Sequence, residues 1–271
     1  MKARTRRQDR FRTAYGPWAV VTGASSGIGR AVADRLAAAG LNLVLVARDR
    51  PALEAVAAAV AAAEGVECRV LPLDLGAASA ADALAAETRG LDVGLLVAAA
   101  GFGTSGSFLD SPLDRELDML HVNCRAVVGH AWHFGRRFAA RGRGGLILLG
   151  SVVGFQGVPH AAHYAATKAY VQALAEALAV ELAPRGVAVL SAAPGPTRSG
   201  FAARAGMTLG RAMEPAAIAQ PILDALGRRP TVLPGLLSKL LAYSLVPLPR
   251  RARVRVMGRV MRGMTGPAGG G

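Results

Sequence analysis

The stretch Trp18-Ala19-Val20-Val21-Thr22-Gly23-Ala24-Ser25-Ser26-Gly27-Ile28-Gly29 decides the fold. A short apolar run ends in a glycine-rich turn, and a helix-favouring segment, Arg30 to Ala39, follows at once. Strand, turn and helix in that order leave backbone amides and the positive end of a helix dipole free to receive a dinucleotide pyrophosphate. Gly23, Ser25, Ser26, Gly27, Ile28 and Gly29 are therefore candidate cofactor-binding residues. The spacing is Gly-x-x-x-Gly-x-Gly, which differs from the commoner Gly-x-Gly-x-x-Gly.

Outward from this unit the chain goes on alternating strand and helix, as a parallel, doubly wound α/β sheet requires. Asn42 to Ala47 reads as the second strand, Pro51 to Glu64 as an alanine-rich helix and Glu67 to Leu71 as the third strand. Leu91 to Ala100 is predicted to be the fourth strand and Leu113 to Phe138 one long helix. Gly145 to Leu149, Tyr164 to Ala183 and Val187 to Ala192 complete the pattern as strand, helix and strand. The expected organisation is a basic N-terminal arm (1–16), one Rossmann-like catalytic domain (17–233) and a C-terminal extension (234–271).

Chemistry is expected between Ser151 and Lys168. Tyr164 and Lys168, four apart on a helix, project from one face. A free tyrosine holds its proton to a pKa of about 10. A nearby ammonium favours the phenolate and lowers that value, so the phenol can exchange a proton with a carbonyl or alcohol oxygen near neutral pH. Ser151, across a loop with two glycines and a proline, can bond the same oxygen. Tyr-x-x-x-Lys also occurs on helices without such a role. The glycine turn upstream gives it meaning here.

Thr22 to Gly29, Ser151, Tyr164 and Lys168 together resemble the short-chain dehydrogenase/reductase family, and the likeness runs from about Trp18 to Pro196. The resemblance implies an NAD(P)-dependent enzyme that moves a hydride between nicotinamide and a ketone or secondary alcohol. In it Tyr164 is acid or base, Lys168 lowers its pKa and binds the nicotinamide ribose, and Ser151 orients the oxygen. Asn123 falls where the family has an asparagine that holds a relay water, although it can equally be a helix amide bonding a buried carbonyl. Pro194 and Gly195 fall where the nicotinamide-side loop begins, Thr197 follows in that loop, and Thr197 to Gly210 resembles the family's lid. The resemblance also implies a homodimer or homotetramer, paired through the two long helices. A non-catalytic dinucleotide-binding or scaffold protein is the alternative, and the intact Ser, Tyr, Lys set argues against it.

Cofactor choice is read at the end of the second strand, where an acid bonds the ribose of NAD and an arginine receives the 2′-phosphate of NADP. The chain has Ala47-Arg48-Asp49, so NADP(H) is the expected cofactor over NAD(H). The other reading makes Arg48 a solvated charge and Asp49 a helix cap. Asp74, followed by Leu75, matches the family residue at the adenine but is also an ordinary turn acid. One departure stands out: Ala98-Ala99-Ala100-Gly101 replaces the family's Asn-Asn-Ala-Gly. Ala100 and Gly101 still allow close backbone approach, but two side-chain amides that tie neighbouring loops are lost.

Gly101, Phe102, Gly103, Phe108, Val153, Phe155, Val158 and Phe201 lie just past strand ends and suggest an apolar substrate, though each can also be packing. Cys68 and Cys124 fit neither a metal site nor a disulfide framework, and no secretory signal is legible, which points to the cytoplasm. The net charge of +14 belongs to the ends. Residues 1–12 carry six basic side chains against Asp9, and Arg228 to Arg262 carry nine with no acid, so the middle is balanced. No interleaved aromatics accompany them, which argues against nucleic acid. Arg250 to Met264 reads as a basic amphipathic helix, with Val254, Met257, Val260, Met261 and Met264 on one side and Arg251, Arg255, Arg259 and Arg262 on the other. Its stripe is expected to dock on the protein's own pocket rim, with peripheral attachment to an anionic membrane as the competing outcome.

Overall fold

In a computed structural model, which describes residues 5–208 and 210–265, the chain forms a seven-stranded sheet in the order β3-β2-β1-β4-β5-β6-β7. The strands are β1 (Trp18–Thr22), β2 (Asn42–Ala47), β3 (Cys68–Pro72), β4 (Val93–Ala98), β5 (Gly144–Leu149), β6 (Val187–Ala192) and β7 (Thr231–Val232), all paired in parallel. The first six lie within two residues of their expected places. The two-residue β7 is too short to leave a periodic signal.

Residues alternate between the faces of a strand, so each face gathers its own core. Ala19, Val21, Leu43 and Leu45 pack with α2 (Gly27–Ala38), α3 (Arg50–Glu64) and α9 (Pro215–Ala225) on one side. Trp18, Val20, Val44 and Val46 pack with α4 (Ala80–Glu87), α6 (Ala126–Arg141) and α7 (Ala162–Leu182) on the other. The doubly wound architecture places the crevice between β1 and β4, where the strand order reverses.

The predicted long helix is divided. α5 (Leu113–Leu120) passes through a π turn, His121–Arg125, before α6 begins. A π turn takes in an extra residue and rotates the facing of the helix beyond it. Here it holds Asn123 and Cys124 inward, at 0% and 7% exposure. Further along, His130 is buried on α6 with no hydrogen-bond partner at Nε2, and burial, aided by nearby His133, depresses its pKa to about 4. Both cysteines are free, Cys124 buried and Cys68 half-buried.

Both ends depart from a simple arm and tail. From Arg6 the basic N-terminal segment is a helix, α1 (Arg6–Tyr15), opened by a Thr5/Gln8 capping box. Phe11 and Tyr15 pack on the core, and Arg12 and Gln8 bond the carbonyls of Gly40 and Ala38. Beyond β7, α10 (Gly235–Tyr243) lies against the loop after β6, where the Gly195 amide donates to buried Ser238 Oγ at 2.8 Å. In α11 (Arg250–Met264), Met257, Met261 and Met264 pack on Val153, Val158 and Ala161, in the segment that joins Ser151 to Tyr164, and on Ala165 just beyond it. The stripe thus docks on the protein. Val260 leaves it and is exposed, because Gly258 and Met261 set the contact line instead.

Candidate active site

The turn after β1 is shaped by its glycines. Gly23 and Gly27 adopt φ of 67° and 58°, a region open to glycine at little cost. A Cβ on Gly23 would meet the Ala100 backbone at 2.8 Å, so the turn and the loop after β4 close together only without a side chain there. Ser26 is the N-cap of α2 and makes no side-chain cap bond, which leaves the first-turn amides unclaimed by a cap. Ile28 and Gly29 lie in that first turn, and Ser25 precedes the cap. This cradle fits a pyrophosphate.

At the end of β2, Arg48 is exposed beside half-buried Ala47, with its guanidinium available to a phosphate. Asp49 is the N-cap of α3 and accepts from the Ala52 amide at 3.0 Å, so it belongs to the helix and not to the cofactor edge. Asp74 is exposed and folds its carboxylate back on the Gly76 amide at 3.0 Å, the ordinary turn reading, while Leu75 is a core residue whose backbone alone can reach a ligand.

Around the reacting centre, Ser151 caps a short 3₁₀ turn (Val152–Phe155): its Oγ accepts from the Val153 amide at 3.4 Å, donates to the Pro194 carbonyl at 3.5 Å and stands next to the Tyr164 phenol. Tyr164 and Lys168 stand one turn apart on α7, 9% and 6% exposed. Burial pushes the Tyr164 phenol above its ordinary value, against a smaller lowering by Ser151. Burial also pulls Lys168 down to about 8. Its ammonium lies 5.8 Å from the centroid of the Tyr164 ring and donates to the Leu149 carbonyl at 2.7 Å. Desolvation of the phenol, the largest influence on Tyr164, acts in the direction opposite to the lowering by Lys168 expected from the sequence.

Asn123 reaches across from the π turn. Its Oδ1 accepts from the Phe102 amide at 3.1 Å, and its Nδ2 donates to the Phe102 carbonyl at 2.9 Å and to Thr167 Oγ1 at 3.0 Å. Both amide hydrogens are thus engaged within the protein. Together with the bond from the Ala100 amide to Thr22 Oγ1 at 3.2 Å, this clamp does part of the tying that Ala98 and Ala99 cannot do. A Cβ on Gly101 would come within 2.9 Å of Asn123 Oδ1 and 3.5 Å of Lys168 Nζ, so the gap between these groups exists because residue 101 is glycine.

The loop after β6 closes the site. The Pro194 carbonyl accepts from the Val152 amide at 3.1 Å, and Thr197 Oγ1 donates to the Gly195 carbonyl at 3.0 Å. Phe201, on α8 (Gly200–Arg204), lies over Tyr164. Ser105 donates to the Ala205 carbonyl at 2.6 Å and Arg115 to the Arg204 carbonyl at 2.6 Å, latching the end of α8 to the loop after β4 and to α5. Of the expected apolar lining, Val153 and Val158 pack instead with α11 and Phe108 is exposed, while Phe102 meets Asn123 and Gly103 and Phe201 lie against Tyr164.

One cluster escaped the sequence reading. Glu116 is 4% exposed, accepts from Ser111 Oγ at 2.5 Å and meets His163 Nδ1 at 2.7 Å, one residue before Tyr164. Burial pushes its carboxyl up, but hydrogen bonds from Ser111, His163 and Thr104 more than offset this and hold it below the usual range. The signal was inverted: on α5 the acid points inward while Leu113, Leu117 and Leu120 are exposed at 68%, 42% and 40%.

The glycine cradle, the crevice and the Ser151, Tyr164, Lys168 and Asn123 cluster agree with a family match that spans residues 17–209, described as short chain dehydrogenase. The chain belongs to the short-chain dehydrogenase/reductase family. It is 37% identical over 187 residues to a 7beta-hydroxysteroid dehydrogenase of Clostridium sardiniense, covering 69% of this chain and 72% of that protein. A solved structure concerned with 7beta-hydroxysteroid dehydrogenase stereoselectivity superposes with a TM-score of 0.84 at 28% identity, covering 91% of this chain and 98% of that one. A short-chain dehydrogenase from Sphingobium yanoikuyae in complex with NADPH gives 0.79 at 33% identity, covering 89% and 95%. The protein is thus an NAD(P)-dependent short-chain dehydrogenase/reductase, and no helix among the described residues is long and apolar enough to cross a membrane.

Proposed function

We propose that this short-chain dehydrogenase/reductase uses NADP(H) to interconvert an apolar, bulky ketone and its secondary alcohol. The observation that carries the reading is the placing of the Ser151 hydroxyl next to the Tyr164 phenol beneath the Phe201 ring. A carbonyl oxygen entering there takes one hydrogen bond from Ser151 and one from Tyr164. When bound, the nicotinamide supplies or accepts the hydride. Tyr164 gives its proton to the oxygen during reduction and recovers one during oxidation. A phenol raised by burial stays protonated at neutral pH, which suits the donor role, and Lys168 opposes charge build-up as the proton leaves. Asn123 holds Phe102 and the first turns of α7 in register, and any water it supports would be held through oxygen, because both its amide hydrogens are engaged.

NADP(H) is favoured over NAD(H) by exposed Arg48 and by the capping role that removes Asp49 from the ribose edge. The NADPH complex of the Sphingobium relative supports this choice, and the steroid substrate named for the Clostridium relative supports a bulky apolar ligand. A homodimer or homotetramer is supported by the exposed stripe Ala166, Ala173, Ala177 and Val180 on α7 and by exposed Trp132 on α6. Incubating purified protein with NADPH or NADH and a panel of ketones from small aliphatic to polycyclic tests the reading. Faster NADPH consumption with the polycyclic members is expected, and turnover confined to small polar carbonyls overturns it.

A further inference from the structure

With α11 docked, an unpartnered apolar face remains on α10. Leu236, Leu240 and Tyr243, at i, i+4 and i+7, are 84%, 66% and 64% exposed, and Val246 just beyond is 55% exposed. The backbone beneath them is well held. Ser238 faces inward to the Gly195 amide, and Arg253 donates to the carbonyls of Leu248 at 2.8 Å and Val246 at 2.6 Å, fixing the turn after α10. Beside the stripe runs an open groove of about 850 Å³, lined by Leu237 and Ser244 of this segment and by Arg198, Arg211 and Lys239, with no acidic side chain in its wall. Glu214 neutralises only Arg198, at 3.1 Å.

We infer that α10 is a peripheral docking surface for an anionic lipid bilayer, with Leu236, Leu240, Tyr243 and Val246 entering the interface and Lys239 and Arg211 facing the headgroups. An apolar stripe flanked by cations suits an interfacial helix, and a tyrosine suits the headgroup level. Charge selects the occupant. A second copy meeting this face in a twofold contact would bring Lys239 and Arg211 against the same cations, and Arg228 to Arg262, which includes α10, holds nine basic residues and no acid. An anionic surface removes that repulsion. The helix lies on the loop after β6, so a docked protein would turn this side of the site toward the lipid. The surface itself does not depend on the proposed reaction.

Flotation of the full chain with phosphatidylcholine vesicles, with and without phosphatidylglycerol, tests the inference at low salt. Recovery with the anionic vesicles alone is expected. Lys239→Ala and Arg211→Ala should each weaken partitioning about fivefold, and L236E with L240E should abolish it while turnover on a soluble ketone stays unchanged. Should that pair misfold, the single lysine variant and the loss of binding at high salt carry the test. Equal flotation with neutral vesicles, none with anionic ones, or undiminished flotation of L236E/L240E overturns the inference. So does a lipid-free oligomer, by light scattering, that L240E dissociates.

Discussion

The rings of Phe201 and Tyr164 pack with centroids 5.2 Å apart and planes inclined at 47°, so the segment after β6 bears directly on the group proposed to transfer the proton. A Cβ on Gly103 would strike Phe201 at 2.8 Å and Tyr164 at 3.1 Å, which makes the glycine part of the same contact. Phe201→Ala removes the aromatic contact but no reacting group. KM for a bulky ketone should rise about tenfold, the scale of one lost aromatic pair, with a smaller change in kcat. A large fall in kcat at unchanged KM would show that Phe201 acts on the chemistry itself.

Tyr164→Phe keeps the ring and its packing and deletes the proton. Turnover should fall by at least ~100-fold. NADPH titration of the same variant, followed by fluorescence, should give near-parental affinity. Turnover close to that of the parent protein removes Tyr164 from the mechanism.

Arg48→Asp puts like charge where the 2′-phosphate is expected. Affinity for NADPH should drop by one to two orders of magnitude, roughly the 1.4–3 kcal/mol of a lost charged contact, while NADH changes little. Equal losses for both would place the phosphate elsewhere.

His130 gives a pH signature. Its folded pKa, depressed from 6.5 to about 4 by burial, means that the unfolded chain takes up the proton first. The stability it contributes is full above pH 6.5 and is lost as pH falls toward 4. The loss reaches about 3 kcal/mol, at order of magnitude, near the lower limit. Thermal unfolding of His130→Phe should therefore show a flatter acid limb than the parent, and an identical acid limb would assign the acid lability to other groups.

Light scattering at micromolar concentration should give at least a dimer mass, with Val180→Arg shifting it toward monomer, because Val180 is 76% exposed on the α7 stripe. A monomeric parent removes the interface.

Much of the fold was legible because parallel strands buried on both faces leave continuous apolar runs, as Val93 to Ala98 does, and because the glycine turn has a mechanical requirement. Ser151, Tyr164 and Lys168 came together as their spacing implied. The features that stayed hidden are tertiary in origin. The π turn at Asn123 has the helical periodicity of its neighbours, and only the reach to Phe102 makes it distinct. Glu116 reads as a surface acid until Ser111 and His163 fold over it, and the leucines of α5 read as core until they are found exposed. The state of Tyr164 likewise depends on how much protein surrounds the phenol, which no pair of residues encodes.

The seat of α11 has a wider consequence. Gly258 sits against Pro159, where a Cβ would come within 3.1 Å of the proline ring, so the loop joining Ser151 to Tyr164 is held in shape by a helix from the far end of the chain. The block shared across the family ends at residue 209 and leaves that helix out. Two relatives identical through the shared block could then differ in which ketone they accept, and a protein shortened after Pro249 for convenience would be, in this respect, a different catalyst.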